Sequence, residues 1–126
     1  MKNPHKGIYK YVASFGYAFK GIADLMRNQF HAQVHIFGAI LAILFGFYFN
    51  ISPIEWCIIV LCIGMVVAAE AMNTAIEYIV DMVSPEYHEL AGKAKDVAAG
   101  AVLLVAISAA LVAAIIFLPK IWAFFL

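Results

Sequence analysis

Residues 56–81 read WCIIVLCIGMVVAAEAMNTAIEYIVD. Fourteen residues, Trp56 to Ala69, pass without a charge, and Glu70, Glu77 and Asp81 then follow in the same predicted helix. At about 100° per residue, positions 70, 73, 77 and 81 fall within an arc of about 80°. Glu70, Asn73, Glu77 and Asp81 therefore form one polar stripe at the end of an apolar rod. The apolar run fixes the fold class, and the stripe marks where its chemistry sits.

Composition agrees with the rod. The chain has 126 residues, 66% hydrophobic and 13% charged, with a mean hydropathy of +0.95. Ordinary soluble domains carry about a quarter charged residues, so the reading is an all-α integral membrane protein in a single domain, 1–126. The formal net charge is zero, which gives a nucleic-acid partner no electrostatic support. Cys57 and Cys62 match no CxxC or zinc spacing and read as packed core thiols without a disulfide.

Working outward, Pro53 to about Val83 is the second span, at about 45 Å longer than a hydrocarbon core of about 30 Å requires. Its last turns are expected at or beyond the lipid boundary. Before it, Ile36 to Phe49 is apolar and ends at the turn residues Asn50, Ser52 and Pro53. A full span needs about 20 residues, so this helix must begin near Phe30, giving 30–49. After the stripe, Val97 to Leu118 carries no charge, with Asp96 opening the third span (about 96–118) and Pro119 and Lys120 expected to close it. Ile8, Val12, Phe15, Phe19, Ile22 and Met26 recur every three or four residues over about 6–28. That segment reads as an N-terminal amphipathic surface helix.

Lys2, Lys6, Lys10, Lys20 and Arg27 precede the first span, Lys93 and Lys95 lie between the second and third, and the Asn50–Pro53 turn has no basic residue. The positive-inside rule puts the N-terminus and the 84–96 loop in the cytoplasm of a bacterial inner membrane. The long polar start does not read as a signal peptide.

Six of the eight acids lie between 70 and 96. A carboxylate at membrane depth costs at least about 2.5 kcal/mol. A solvated helix end accounts for Asp81, Glu86 and Glu89, but not for Glu70, flush against the apolar run. Clustered acids, an amide and lysines suit magnesium and phosphate oxygens, and a further acid near the lipid can take a proton from a hydroxyl. The chemistry suggested is phosphoryl transfer at the membrane interface, although no GxxxxGK[ST], GxGxxG or kinase-type loop is present. The competing reading is a non-enzymatic membrane module, such as an ion-conducting or assembly subunit. Polar residues gathered at one end, rather than through the whole bilayer, disfavour an ion path.

The stretch EAMNTAIEYIVDMVSPEYHELAGKAKDVAAGAVLL at 70–104, with GYAFKGI at 16–22, closely resembles the signature of the small prokaryotic integral-membrane diacylglycerol kinases and the related undecaprenol kinases. The resemblance implies a homotrimer of three-span subunits with a surface helix, using ATP and Mg2+ to phosphorylate a membrane lipid alcohol, either undecaprenol or diacylglycerol. The late DVAAGAVL and LPKIW segments lean towards the polyprenol branch. It implies that Glu70 is the catalytic base and Glu77 a metal ligand. Asn73, Asp81, Lys95, Asp96, Lys10 and Tyr17 would serve nucleotide binding, with Lys95 on phosphate.

Gln29 stands where many members have a metal-binding glutamate, and an amide oxygen is the weaker ligand. Ala18 and Ala99 replace serines of some diacylglycerol kinases. His31 and His35, four apart, have metal-like spacing but no HExxH glutamate between them, and read as interfacial polar residues. Ala106, Ala110 and Ala114 make a small-xxx-small row that permits close helix contact.

Overall fold

Ser52, Pro53 and Glu55 start a helix in the way their order predicts. The Ser52 hydroxyl accepts from the Glu55 amide at 3.2 Å, and the Glu55 carboxylate accepts from the Ser52 amide at 3.1 Å. This is a reciprocal capping box with Pro53 in the first turn, where its missing N–H is no loss. In the computed structural model, which describes residues 4–126 and side chains from Lys6 onward, four helices follow one another: α1 (Pro4–Asn28), α2 (Phe30–Tyr48), α3 (Pro53–Val83) and α4 (Glu89–Phe125). The last three are long and apolar enough to cross a membrane. Lys2, counted for orientation, lies outside the described residues.

A single extended residue, Gln29, separates α1 from α2. The carbonyls left open at the end of α1 are met by the Gln33 side chain, which donates to Met26 O at 3.2 Å and Arg27 O at 3.3 Å. Between α2 and α3, Asn50 takes a left-handed backbone, with φ 50°, which its short polar side chain tolerates.

α3 and α4 run antiparallel and are tied at both ends. Lys120 Nζ lies 2.9 Å from Glu55 Oε2 at one end, and Lys95 pairs with Asp81 at the other. Along α3 these pairs are about 39 Å apart, so they bracket a hydrocarbon thickness of about 30 Å.

α4 differs from the expectation at both ends. His88 caps it, its Nδ1 accepting from the Leu90 amide at 3.2 Å, so residues 89–96 are helix and the loop shrinks to Ser84–His88. Pro119 does not close the helix but lies inside it. An apolar helix with neighbours has no competing state that satisfies its backbone better, so an internal proline is tolerated.

The buried cluster of Ile51, Ile59, Ile116 and Phe117 sits towards the Glu55–Lys120 end, with Phe49, Trp56 and Val112 packed against it. The thiols are only partly in the core: Cys57 is exposed and Cys62 half-buried, and both are free. Cys57 and Cys62 lie five positions apart, so they fall on different helix faces.

Candidate active site

The polar stripe of α3 divides into three separate contacts. Glu70 is buried, with 4% of its surface exposed, and its Oε1 lies 3.2 Å from Nε2 of His35 on α2. One turn on, the Asn73 amide nitrogen donates to Glu77 Oε1 at 3.3 Å. Asp81, exposed at the end of the helix, is paired with Lys95 of α4. The stripe is therefore real as a row along α3, while its side chains engage different helices.

Axial spacing sets their environments. Glu70 lies about 22 Å along α3 from Glu55 and about 16 Å from Asp81, inside the apolar stretch bracketed by the two lysine–carboxylate pairs. A charge there needs a partner, because isolated ions away from water are strongly disfavoured. His35 is that partner. Asn73 Oδ1 is buried and has no hydrogen-bond partner among the described residues. Such an orphaned oxygen is costly and leaves a hard donor free beside the Glu77 carboxylate.

Below the His35–Glu70 contact runs an apolar cavity of about 350 Å³ between α2, α3 and α4. His35 lines it with small residues, among them Gly38 and Ala42 of its own helix and Ala109 and Ala110 of α4. Ala106 and Ala110 of the small-residue row border this side-open cavity, Ala110 remaining exposed.

α1 meets α3 near its C-terminal end. Tyr78 Oη donates to Asp24 Oδ2 at 2.7 Å, the Asn28 amide donates to Asp24 Oδ1 at 2.6 Å, and Leu25 is buried beside them. The Tyr78 hydroxyl, followed by the Asn28 amide, holds the Asp24 carboxyl below the usual carboxylate range. Gln29 follows directly, as the extended residue between α1 and α2.

Some expected members are not gathered here. Tyr17 and Lys10 are exposed on α1, about 10 Å and 21 Å along the helix from Asp24, and neither contacts the α3 stripe among the described side-chain hydrogen bonds and ion pairs. Tyr17 instead lies under the Lys20 ammonium, 5.7 Å from its ring centre. Asp96 is exposed and forms no side-chain ion pair among the described residues, so Lys95 rather than Asp96 makes the link to α3. Three or more His, Cys, Asp or Glu side chains do not converge at metal-ligand spacing among the described residues. His31 is exposed, and the contact of His35 with Glu70 replaces the idea of two merely interfacial histidines.

Similarity to known proteins covers nearly the whole chain. Residues 16–117 match the family model described as prokaryotic diacylglycerol kinase. An undecaprenol kinase of Bacillus subtilis (strain 168) is 39% identical over 119 residues, covering 94% of this chain and 97% of that protein. A diacylglycerol kinase of Escherichia coli (strain K12) is 30% identical over 125 residues, 99% of each chain. A diacylglycerol kinase of Synechocystis sp. is 38% identical over 109 residues, which span 86% of this chain and 62% of that one.

Proposed function

The chain belongs to the prokaryotic diacylglycerol kinase family, and from that premise we propose a membrane lipid kinase that moves the γ-phosphoryl group of ATP to a lipid alcohol, with a polyprenol such as undecaprenol the favoured acceptor. The observation that carries the mechanism is the placement of Glu70. It is a buried carboxylate in contact with His35, whose imidazole lines the apolar cavity, and it stands one and two turns from Asn73 and Glu77. A lipid hydroxyl reaching that cavity from the bilayer meets a base before it meets water.

The step balances simply. Glu70 takes the hydroxyl proton, the lipid oxygen forms a bond to the γ-phosphorus, the bridging bond to the β-phosphate breaks, and ADP leaves. Lys95 supplies positive charge to the phosphates, with Asp81 and Asp96 beside it. The exposed Lys10 and Tyr17 take their nucleotide role from the family likeness.

The donor set suits magnesium. Mg2+ prefers one or two carboxylates plus phosphate oxygens and water over an all-protein cage, and Glu77 with the unpartnered Asn73 Oδ1 offers that. Gln29, between α1 and α2, offers a neutral amide oxygen at the position where the family likeness puts a metal-binding glutamate. When bound, the ion neutralises charge on the phosphates.

The positive-inside pattern supports an inner-membrane orientation with the N-terminus and the Asp81–Lys95 end in the cytoplasm, leaving Glu55–Lys120 on the outer side. The apolar positions of α1, from Ile8 to Ile22, support a helix lying on the cytoplasmic leaflet. Long apolar side chains remain exposed along α2, α3 and α4, which supports assembly as a homotrimer with further faces in lipid.

Purified protein in vesicles, given Mg2+, labelled ATP and either undecaprenol or diacylglycerol, tests the reading. Faster labelling of undecaprenol is expected. A preference for diacylglycerol would overturn the acceptor, and no labelling of either would overturn the kinase.

A further inference from the structure

We propose that His35 is the positioning residue of the reaction, fixing the Glu70 carboxylate from the neighbouring helix; the proposal rests on the lipid-kinase reading above. Three observations converge on it. Its Nε2 is 3.2 Å from Glu70 Oε1, while the side chains are 25% and 5% exposed. The other ion pairs of the described residues lie elsewhere, at Glu55–Lys120, Asp81–Lys95 and Glu89–Lys93, so the imidazole is the partner that Glu70 has. The same imidazole lines the apolar cavity between α2, α3 and α4, so it stands where the cavity meets the base.

Physical chemistry gives that contact a definite role. A carboxylate on a two-carbon arm has rotamer freedom, and an unfixed base spends much of its time misaimed. His35 Nε2 stands 3.2 Å from Oε1, and a ring proton turned onto that oxygen leaves Oε2 to receive the hydroxyl proton. The donated proton also offsets the cost of holding a carboxylate away from water. Glu70 sits on the long α3 rod and His35 on the second turn of α2, so the contact also sets the register between the two helices at the reacting level. The role assigned to His35 is thus to act through Glu70 rather than on nucleotide or phosphate.

Four full-length variants in vesicles test this: His35→Leu, which keeps the bulk and removes the donor; His35→Gln, which restores a donor of similar reach; His35→Asn, whose amide is too short; and His35→Leu combined with Glu70→Gln. Misplacing a reacting group by about 1 Å costs roughly 10²-fold. His35→Leu should therefore lower kcat by about that factor while KM for Mg-ATP stays within about twofold, and His35→Gln should recover more of the rate than His35→Asn. In the Glu70→Gln background, His35→Leu should cost nothing further, because its route of action is already gone.

Wild-type kcat in His35→Leu would overturn the proposal, as would equal rates for His35→Gln and His35→Asn, or a full multiplicative loss in the double variant. Should His35→Leu not fold, the Gln and Asn pair still decides, since both retain a polar amide and differ only in reach. Wild-type protein inactive on every lipid alcohol would instead strike the kinase reading itself, so the two failures are distinguishable.

Discussion

Lys95 of α4 rests its ammonium on the Asp81 carboxylate of α3, joining the two helices just across the Ser84–His88 loop. Both residues are substantially exposed, at 40% and 64% of their side-chain surface. Such a pair contributes only about 0–1 kcal/mol to stability. A lysine meeting phosphate makes charge-assisted contacts of about 1.5–3 kcal/mol. Lys95→Ala should therefore leave the thermal midpoint nearly unchanged while raising KM for Mg-ATP or lowering kcat by about 10- to 10²-fold. Asp81→Asn, which frees the ammonium, should have the smaller effect. Kinetics and thermal unfolding of the same preparations check both, and a large drop in midpoint with normal KM would make the lysine structural.

Glu70 and Glu77 should fail in different ways. Removing a general base costs about 10²- to 10⁴-fold in turnover, so Glu70→Gln should lose most activity and still bind Mg-nucleotide. Glu77→Gln should instead shift half-saturation by magnesium and nucleotide upward, because it sits with the free Asn73 oxygen rather than at the cavity. Titration of a fluorescent nucleotide alongside the turnover assay separates the two. Wild-type turnover in Glu70→Gln would remove it from the role of base.

Gln29 is the natural place for a gain of function. It opens α2, adjacent to the junction where α1 meets Tyr78 of α3, and its neutral oxygen is a weaker magnesium donor than a carboxylate. Gln29→Glu should lower the magnesium concentration needed for half-maximal rate by several-fold, by the logic of ligand charge. An unchanged magnesium curve would show that position 29 lies outside the metal's reach.

Legibility in the sequence followed the difference between local and relational information. The helix start at Ser52–Pro53, the break at Gln29 and the continuity of α3 are local, and residue order alone expresses them. The row from Glu70 to Asp81 is also local, because helical pitch fixes it. What each member of the row faces depends on how α2 and α4 rotate against α3, which no single-helix pattern carries. Hence His35–Glu70 and Glu55–Lys120 went unanticipated, although the burial of Glu70 already demanded a partner and a histidine on the preceding span was the available one. The misjudged end at Pro119 has a different origin: a rule learned from helices in water was applied where the backbone has no water to turn to.

Gly46 is held by packing rather than by backbone conformation. A Cβ built there would lie 2.6 Å from Cη2 and 2.8 Å from Cζ2 of Trp56, and the indole also packs in a tilted arrangement against Phe47 with ring centres 4.8 Å apart. Overpacking of this kind costs about 1–3 kcal/mol, so Gly46→Ala should lower the thermal midpoint measurably. Trp56→Leu combined with Gly46→Ala should recover part of it by making room. If the double variant is as unstable as the sum of the singles, the contact with Trp56 is not the cause.

Asp24 gives the docking of α1 a pH dependence whose sign can be worked out. Its carboxylate accepts from the Tyr78 hydroxyl and the Asn28 amide, and both hold its pKa below the ordinary value, Tyr78 the more strongly. A group with a depressed folded-state value favours the docked state fully above the ordinary carboxylate range, and that contribution is lost as pH falls through the lowered value. α1 should thus stay docked at neutral pH and loosen only in acid, below about pH 4. A spin label introduced by Lys20→Cys, in a chain carrying Cys57→Ala and Cys62→Ala, reports this as rising mobility on acidification. Tyr78→Phe removes the larger of the two interactions, so its label should already be more mobile at neutral pH and change less on titration. Identical titrations with and without the Tyr78 hydroxyl would assign the acid sensitivity to another group and leave Asp24 without a part in holding α1 against α3.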